Sequence, residues 1–213
     1  VISGTVTRFK ITGGNFDLLR GDNSAACIGG GYRSGYVNME IYGGTISTSD
    51  NIDENRGSST PTDYKSTLSN TGRARAACIG GGGGGTSSAS PAGATVKIYG
   101  GRISATNRYG AAIGAGAGGS TGSATAAKVY ISGGHITAET TIGDGKGAGA
   151  GIGTGGSLGT GSGGKATVEI SGGTIFAKSE NGADIGGGGT NSNTTGVGGV
   201  GIVTITGGNI EAL

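Results

Sequence analysis

The sequence predicts an all-β fold, a right-handed parallel β-helix with three short strands per coil and about six coils. A phrase centred on a Gly-Gly pair recurs six times, and its clearest copy is KATVEISGGTIFAK at residues 165–178. Apolar and polar residues alternate on both sides of each pair, as they do in half-buried strands. A repeat of about 20–50 residues is typical of solenoids and propellers.

The Gly-Gly pairs divide the chain into units of unequal length. Successive pairs are separated by 30, 57, 33, 39 and 35 residues. The first glycines of the pairs are Gly13, Gly43, Gly100, Gly133, Gly172 and Gly207. Glycine readily adopts the positive φ that a sharp corner requires, so we expect the chain to change direction at every pair.

Each unit contains three short segments in which alternate residues should face a common core. The first precedes the pair: Phe9 and Ile11, Met39 and Ile41, Val96 and Ile98, Val129 and Ile131, Val168 and Ile170, Val203 and Ile205. The second follows it: Phe16 and Leu18, Ile46 and Thr48, Ile103 and Ala105, Ile136 and Ala138, Ile175 and Ala177, Ile210 and Ala212. The third resembles Ala-x-Ile-Gly: Ala26 and Ile28, Ala77 and Ile79, Ala111 and Ile113, Ala150 and Ile152, Ala183 and Ile185. Segments of about four residues are too short for helices.

A propeller is the competing architecture for such a repeat. It needs four strands per blade and usually an aromatic signature. Three segments per unit and an aromatic content of 5% disfavour it. In a β-helix, equivalent strands of adjacent coils lie about 4.8 Å apart. The right-handed form follows the usual sense of crossovers between parallel strands.

Composition and charge exclude several classes of protein. Glycine supplies 54 of the 213 residues without the three-residue period of collagen. A net charge of +2 gives no electrostatic reason to expect nucleic-acid binding. No run of about 18 apolar residues occurs, so we expect no membrane insertion. We expect one domain over residues 1–213, because the repeat runs through nearly all of the chain. We expect it to be a monomer or part of a larger multidomain chain, since the sequence opens on Val1 and stops at Leu213 within a repeat.

The 57-residue interval contains a polar insertion at about residues 49–75. Insertions in solenoids form loops that often bind ligands, so Asp53 and Tyr64 are candidate ligand-binding residues, with a solvated loop as the alternative. Glycine-rich loops also follow the third segments and lack the Gly-Lys-Ser/Thr spacing of a phosphate-binding loop. Residues 1–7 resemble a shortened repeat that caps the first coil.

The outward face of the first segment is the most varied chemically. Glu40, Lys97, Tyr130 and Glu169 should stack coil by coil. Beside them Tyr42 should lie over Tyr99, followed by two serines, Ser132 and Ser171. Rings with flanking polar groups suit stacking on a sugar or contact with a protein partner. The alternative is a cross-strand ladder that only stabilises the sheet. We take Tyr42, Tyr99, Tyr130, Lys97 and Glu40 as candidate ligand-binding residues.

Cys27 and Cys78 occupy the same slot in adjacent coils, where alternation should turn them away from the core. A separation near 4.8 Å suits a disulfide, whereas parallel Cβ vectors would hinder its closure, so the pair is a candidate disulfide with its redox state open. The spacing shows no zinc motif, and metal binding is otherwise left open. We expect no cofactor.

The sequence favours a non-catalytic role. Its acidic residues are scattered, and Glu40 and Glu169 should lie about 14 Å apart, beyond the roughly 5–9.5 Å that glycosidases use. His135 is the only histidine and falls at an outward position without a Gly-x-Ser-x-Gly motif. A carboxylate carried on a loop could shorten the distance, so a polysaccharide lyase or glycoside hydrolase of the β-helix class remains the alternative.

Two specialised binding functions, integrin binding and ice binding, are disfavoured by the sequence. Residues 20–22 read Arg-Gly-Asp, an integrin-type tripeptide at a predicted corner, for which a plain turn is the favoured interpretation. A flat threonine lattice would indicate ice binding. The outward column after the pairs mixes charge and size instead, which disfavours that function: Asn15, Thr45, Arg102, His135, Thr174 and Asn209.

The phrases VEISGGTI and GAGIGTGG resemble the glycine-rich repeats of large secreted surface proteins of bacteria, mostly Gram-positive. Those regions are similar to right-handed, pectate-lyase-like β-helices. The resemblance covers residues 2–213 apart from the insertion, and no catalytic motif is carried over. It implies an extracellular, secreted or cell-wall-attached protein, with an adhesive role. The partner would be a polysaccharide, a mucin-like glycan or a host surface protein, and a rigid structural stalk is the further alternative.

Overall fold

The structure is a computed structural model that describes residues 7–19, 25–31, 35–49, 75–84, 91–119, 121–141, 149–157, 159–190 and 195–213. Three predicted features fall outside these residues: the body of the insertion at 50–74, the Arg-Gly-Asp tripeptide at 20–22, and most of the N-terminal cap, residues 1–6. The described residues form seventeen strands and no helix.

The strands form three parallel sheets, and one strand from each sheet makes a coil of a right-handed β-helix. Sheet A contains β1 (Thr7–Ile11), β4 (Val37–Ile41), β7 (Ala94–Ile98), β10 (Ala127–Ile131), β13 (Lys165–Ile170) and β16 (Val200–Ile205). Sheet B contains β2 (Asn15–Leu19), β5 (Thr45–Ser49), β8 (Arg102–Asn107), β11 (His135–Thr140), β14 (Thr174–Ser179) and β17 (Asn209–Ala212). Sheet C contains β3 (Ile28–Gly29), β6 (Ile79–Gly80), β9 (Ile113–Gly114), β12 (Ile152–Gly153) and β15 (Ile185–Gly186).

Equivalent residues of successive coils pair in register, which confirms the predicted columns. Met39 of β4 pairs with Val96 of β7, which pairs with Val129 of β10. The β-branched and small side chains of these columns fill one continuous core. In β16, by contrast, Val203 and Ile205 lie at the surface, because no described strand of sheet A pairs beyond them.

The Gly-Gly pair makes the corner between sheets A and B. Three residues connect every strand of sheet A to the following strand of sheet B, whereas the other two connections vary in length. The second glycine of every pair has a φ between 99° and 107°, as predicted for a sharp corner. A Cβ on Gly101 would also lie only 2.9 Å from the carbonyl oxygen of Gly44 in the preceding coil. Both constraints require glycine at this point.

Sheet C lies where the chain reverses direction tightly, and the predicted outward orientation of the two cysteines is wrong there. The Ala77 N–H donates to the Gly81 carbonyl oxygen at 2.9 Å, so the strand is only two residues long and strict alternation does not apply. The cysteines, predicted to face outward, are buried, with Cys27 7% exposed and Cys78 0%. The structure contains no bond between their sulfur atoms, and the disulfide stays a prediction. The Cys78 Sγ lies 3.0 Å from the carbonyl oxygen of Thr106 in the next coil.

A polar column joins the ends of the sheet B strands to sheet C. Its aligned members are the buried Asn107 and Thr140 and the half-buried Ser179. The Asn107 Nδ2 donates to the carbonyl oxygens of Ala76 and Ala111, each at 2.8 Å. The Thr140 and Ser179 hydroxyls both donate to the Gly149 carbonyl oxygen, at 2.8 and 2.9 Å, so the column adds donors to backbone carbonyls beside sheet C.

Candidate functional site on the outward face of sheet A

Sheet A presents three parallel columns of side chains on its outer surface. The column farthest from the Gly-Gly corner is Arg8, Asn38, Thr95, Lys128, Thr167 and Ile202. The central column is Lys10, Glu40, Lys97, Tyr130, Glu169 and Thr204. The column nearest the Gly-Gly corner is Thr12, Tyr42, Tyr99, Ser132, Ser171 and Thr206. Backbone hydrogen bonds hold this last column in step, as from the Tyr99 N–H to the Ile41 carbonyl oxygen at 2.8 Å. The sheet therefore fixes the spacing of the columns.

Tyr42 and Tyr99 form a parallel stack on this surface. Their ring centroids are 4.6 Å apart, with an angle of 18° between the planes. This separation is close to the strand spacing of about 4.8 Å, so the sheet itself brings the rings into contact. The Lys10 Nζ lies 4.8 Å from the centroid of Tyr42, in the geometry of a cation–π contact. Each tyrosine is 42% exposed, so the stack remains accessible to a ligand.

Glu40 links the stack to the central column. The Tyr42 hydroxyl donates to the Glu40 Oε2 at 3.2 Å, and the Lys97 Nζ lies 3.8 Å from the Glu40 Oε1. Exposed ion pairs of this kind stabilise a fold only weakly, so the contacts chiefly orient the side chains. Desolvation of the Tyr42 phenol, followed by its hydrogen bond to Glu40 and the carboxylate charge, raises its pKa. At neutral pH Tyr42 is therefore a protonated donor.

A groove of about 160 Å³ opens where the tyrosine stack stops. Tyr99 forms one wall, and the residues that line the remainder come from the next three coils. Those with outward side chains are Tyr130, Ser132, Glu169, Ser171, Thr204 and Thr206, whereas the side chains of Ile131 and Ile170 are buried in the core. The polar atoms are hydroxyls and one carboxylate, while Tyr99 and Tyr130 supply aromatic surface. The groove can hold a small ring that has one apolar face and polar edges.

The structure brings five predicted site residues onto one surface. Tyr42, Tyr99, Tyr130, Lys97 and Glu40 all lie on the outward face of sheet A. Among the predicted site residues, Asp53 and Tyr64 lie outside the described residues.

Two residues of this face were not predicted. Lys10 occupies the slot of Glu40 in the first coil, and its position in the repeat could have revealed it. Tyr36 precedes β4, and its hydroxyl lies 3.0 Å from the Thr95 Oγ1. It stands outside the repeated phrase, so periodicity gave no signal for it.

Sheet B carries a second groove of about 240 Å³. Its side chains include His135, Thr174, Phe176, Asn209 and Glu211. His135 is exposed, as predicted for its slot. Within the described part of the chain, no three His, Cys, Asp or Glu side chains converge in a way that could hold a metal ion.

Comparisons with known proteins add no family or function to the observed fold. No family model, no curated protein and no solved structure matches the chain. The residues that the structure describes include no helix long and apolar enough to cross a membrane. The chain is a right-handed parallel β-helix of about six coils with an aromatic and hydroxyl-rich outer face on sheet A.

Proposed function

We propose that this chain is a non-catalytic extracellular surface module that binds glycans through the outward face of sheet A. The observation that carries the proposal is the exposed Tyr42–Tyr99 stack beside a groove lined by hydroxyls and a carboxylate. The apolar C–H face of a sugar ring packs on an aromatic face through buried apolar area and dispersion. Its hydroxyls need donors and acceptors at the edge, which serine, threonine and glutamate side chains supply.

The flat, regular surface also supports binding to a polymer. Hydrogen-bonded strands hold the side chains of sheet A in fixed positions, so little conformational entropy is lost when a ligand binds. The resemblance to repeats of bacterial surface proteins supports a secreted or cell-wall-attached location and a role in adhesion. A polysaccharide or a mucin-like glycan is then the partner, and the β-helix holds the binding face rigidly.

The test is binding of the whole chain to an array of polysaccharides and mucin glycans. Wild type is compared with a Tyr42→Ala/Tyr99→Ala double variant and with His135→Ala, which changes an exposed side chain on sheet B. We expect wild type and His135→Ala to bind alike and the double variant to lose at least about tenfold in affinity, as hot-spot residues do. Circular dichroism checks that each variant is folded.

Four outcomes would contradict the proposal. One is the absence of binding to every glycan, and another is equal binding by the double variant. The third is binding to a mucin that persists after its glycans are removed, which would identify a protein partner. Release of reducing sugars or unsaturated products from the bound polysaccharide would instead show an enzyme.

A further inference from the structure

The column nearest the Gly-Gly corner contains a gap in its aromatic stack. Tyr42 and Tyr99 are stacked in this column, and Lys10 of the central column lies near the Tyr42 ring. The next two slots hold Ser132 and Ser171, whose side chains are too small to continue the stack. The groove lies over these serines, so Tyr42 covers one face of Tyr99 while the groove opens on the other.

The gap has room for one ring stacked on Tyr99. The Tyr42–Tyr99 distance of 4.6 Å shows where the next ring in the stack would lie, which is above Ser132. From Tyr99 to Thr206 the column advances by three strands, or about 14 Å. The volume of about 160 Å³ is below the range of about 300–1,000 Å³ for pockets that enclose larger ligands. A single sugar ring suits this space better than a whole oligosaccharide.

We propose that this groove is a subsite for one pyranose ring that carries no negative charge, stacked with its C–H face on Tyr99. This inference rests on the proposed function, since it assigns a ligand class to the same surface. The Ser132 and Ser171 hydroxyls lie beneath the ring, and Tyr130 and Glu169 lie along its edge. The hydroxyl groups of a neutral hexose, or the hydroxyl and amino groups of an amino sugar, can donate hydrogen bonds to the Glu169 carboxylate.

Charge determines the selectivity of the subsite. Glu169 is the only charged residue among those that line the groove. Lys97 lies two residues before Tyr99 and beside Tyr130, and its Nζ is engaged by Glu40 at 3.8 Å. Lys128 lies two residues before Tyr130 and is not among the lining residues. The carboxylate of a uronic or sialic acid placed over Ser132 and Ser171 would face Glu169 directly. Like charges at close range repel, so we expect Glu169 to disfavour acidic sugars.

The test uses immobilised oligosaccharides of glucose and galactose, of the two corresponding amino sugars, and of the two corresponding uronic acids. We expect the wild-type chain to bind at least one neutral sugar or amino sugar at least about tenfold more tightly than its uronic acid counterpart. Glu169→Gln keeps the size of the side chain and removes its charge. It should reduce that ratio to about threefold or less.

Two variants change the shape of the groove. Tyr99→Ala removes the stacking face, and Ser132→Tyr fills the gap by continuing the column. Each should weaken binding of the preferred sugar by about tenfold or more. Ser47→Tyr makes the matched change on the exposed surface of sheet B and should leave binding unchanged.

The outcomes separate the inference from the proposed function. Failure of wild type to bind any glycan refutes both. Glycan binding that survives Tyr99→Ala and Ser132→Tyr refutes the subsite and leaves glycan binding by the chain intact. A preference for the uronic acids, or an unchanged ratio in Glu169→Gln, refutes the assigned ligand class.

Discussion

Replacing Gly44 with alanine should destabilise the β-helix, whereas the same change at the adjacent Gly43 should not. Gly44 has a φ of 102°, and an added Cβ would lie 2.8 Å from the carbonyl oxygen of Gly14 in the coil before it. That oxygen accepts a hydrogen bond from the Thr45 N–H at 2.9 Å, so it cannot move away freely. At Gly43 the nearest atom to an added Cβ is the Thr12 carbonyl oxygen at 3.5 Å, an ordinary contact.

The expected magnitude follows from these two constraints. A non-glycine residue in the left-handed region costs about 1–2 kcal/mol. Displacing the Gly14 carbonyl from its hydrogen bond adds about 0.5–1.5 kcal/mol. The free energy of unfolding should therefore fall by about 1.5–3.5 kcal/mol in Gly44→Ala. For a chain of this length that corresponds to a decrease in Tm of about 3–14 °C.

Thermal and urea unfolding followed by circular dichroism measure both variants against wild type. Gly43→Ala is the matched control and should unfold within about 0.5 kcal/mol of wild type, or be slightly more stable. Equal destabilisation of the two variants would show that both glycines of the Gly43–Gly44 pair are needed, and would contradict the assignment of the effect to the φ and close contact of Gly44. An unchanged Tm in Gly44→Ala would refute the geometry of the corner.

Two other predictions concern named side chains. The raised pKa of Tyr42 means that its phenol should ionise above the ordinary value of about 10 in an ultraviolet titration. Its contribution to stability is present below that pH and is lost as the pH rises through the folded-state pKa. Tyr42→Phe should remove this late step and Glu40→Gln should shift it to lower pH, and an unaltered curve in both would contradict the assignment. Asn107→Ala should lower the free energy of unfolding by about 1–3 kcal/mol in urea, because two buried carbonyls lose a donor, while the outward-facing Asn38→Ala should change it by less than about 0.5 kcal/mol.

Much of the fold could be predicted because the repeat places equivalent residues in equivalent environments. The alternation of Val96 and Ile98 in one coil recurs as Val129 and Ile131 in the next, and in-register stacking is the arrangement that buries both pairs. The outer columns follow by the same reasoning, since the residues between the core positions must face solvent. The stacking of Tyr42 on Tyr99 was accordingly predictable from the sequence.

The features that were not predicted depend on local departures from the regular strand. Cys78 was expected to face outward, but the chain reverses within sheet C after only two strand residues, so alternation no longer determines which side chains are buried. The groove beside Tyr99 is formed by side chains from four different coils. The groove exists because Ser132 and Ser171 are much smaller than the tyrosines before them in the column. From the sequence we considered the aromatic residues of that column and did not predict a groove beside them.

The unequal connections described above have a practical consequence. The corner between sheets A and B has a constant length of three residues, while the links into and out of sheet C range widely without disturbing the register of the columns. The length of these two links therefore does not change the positions of the outward side chains in the strands. Foreign peptides could be inserted at these links, and the β-helix could then display them while the side chains on the outward face of sheet A are changed separately.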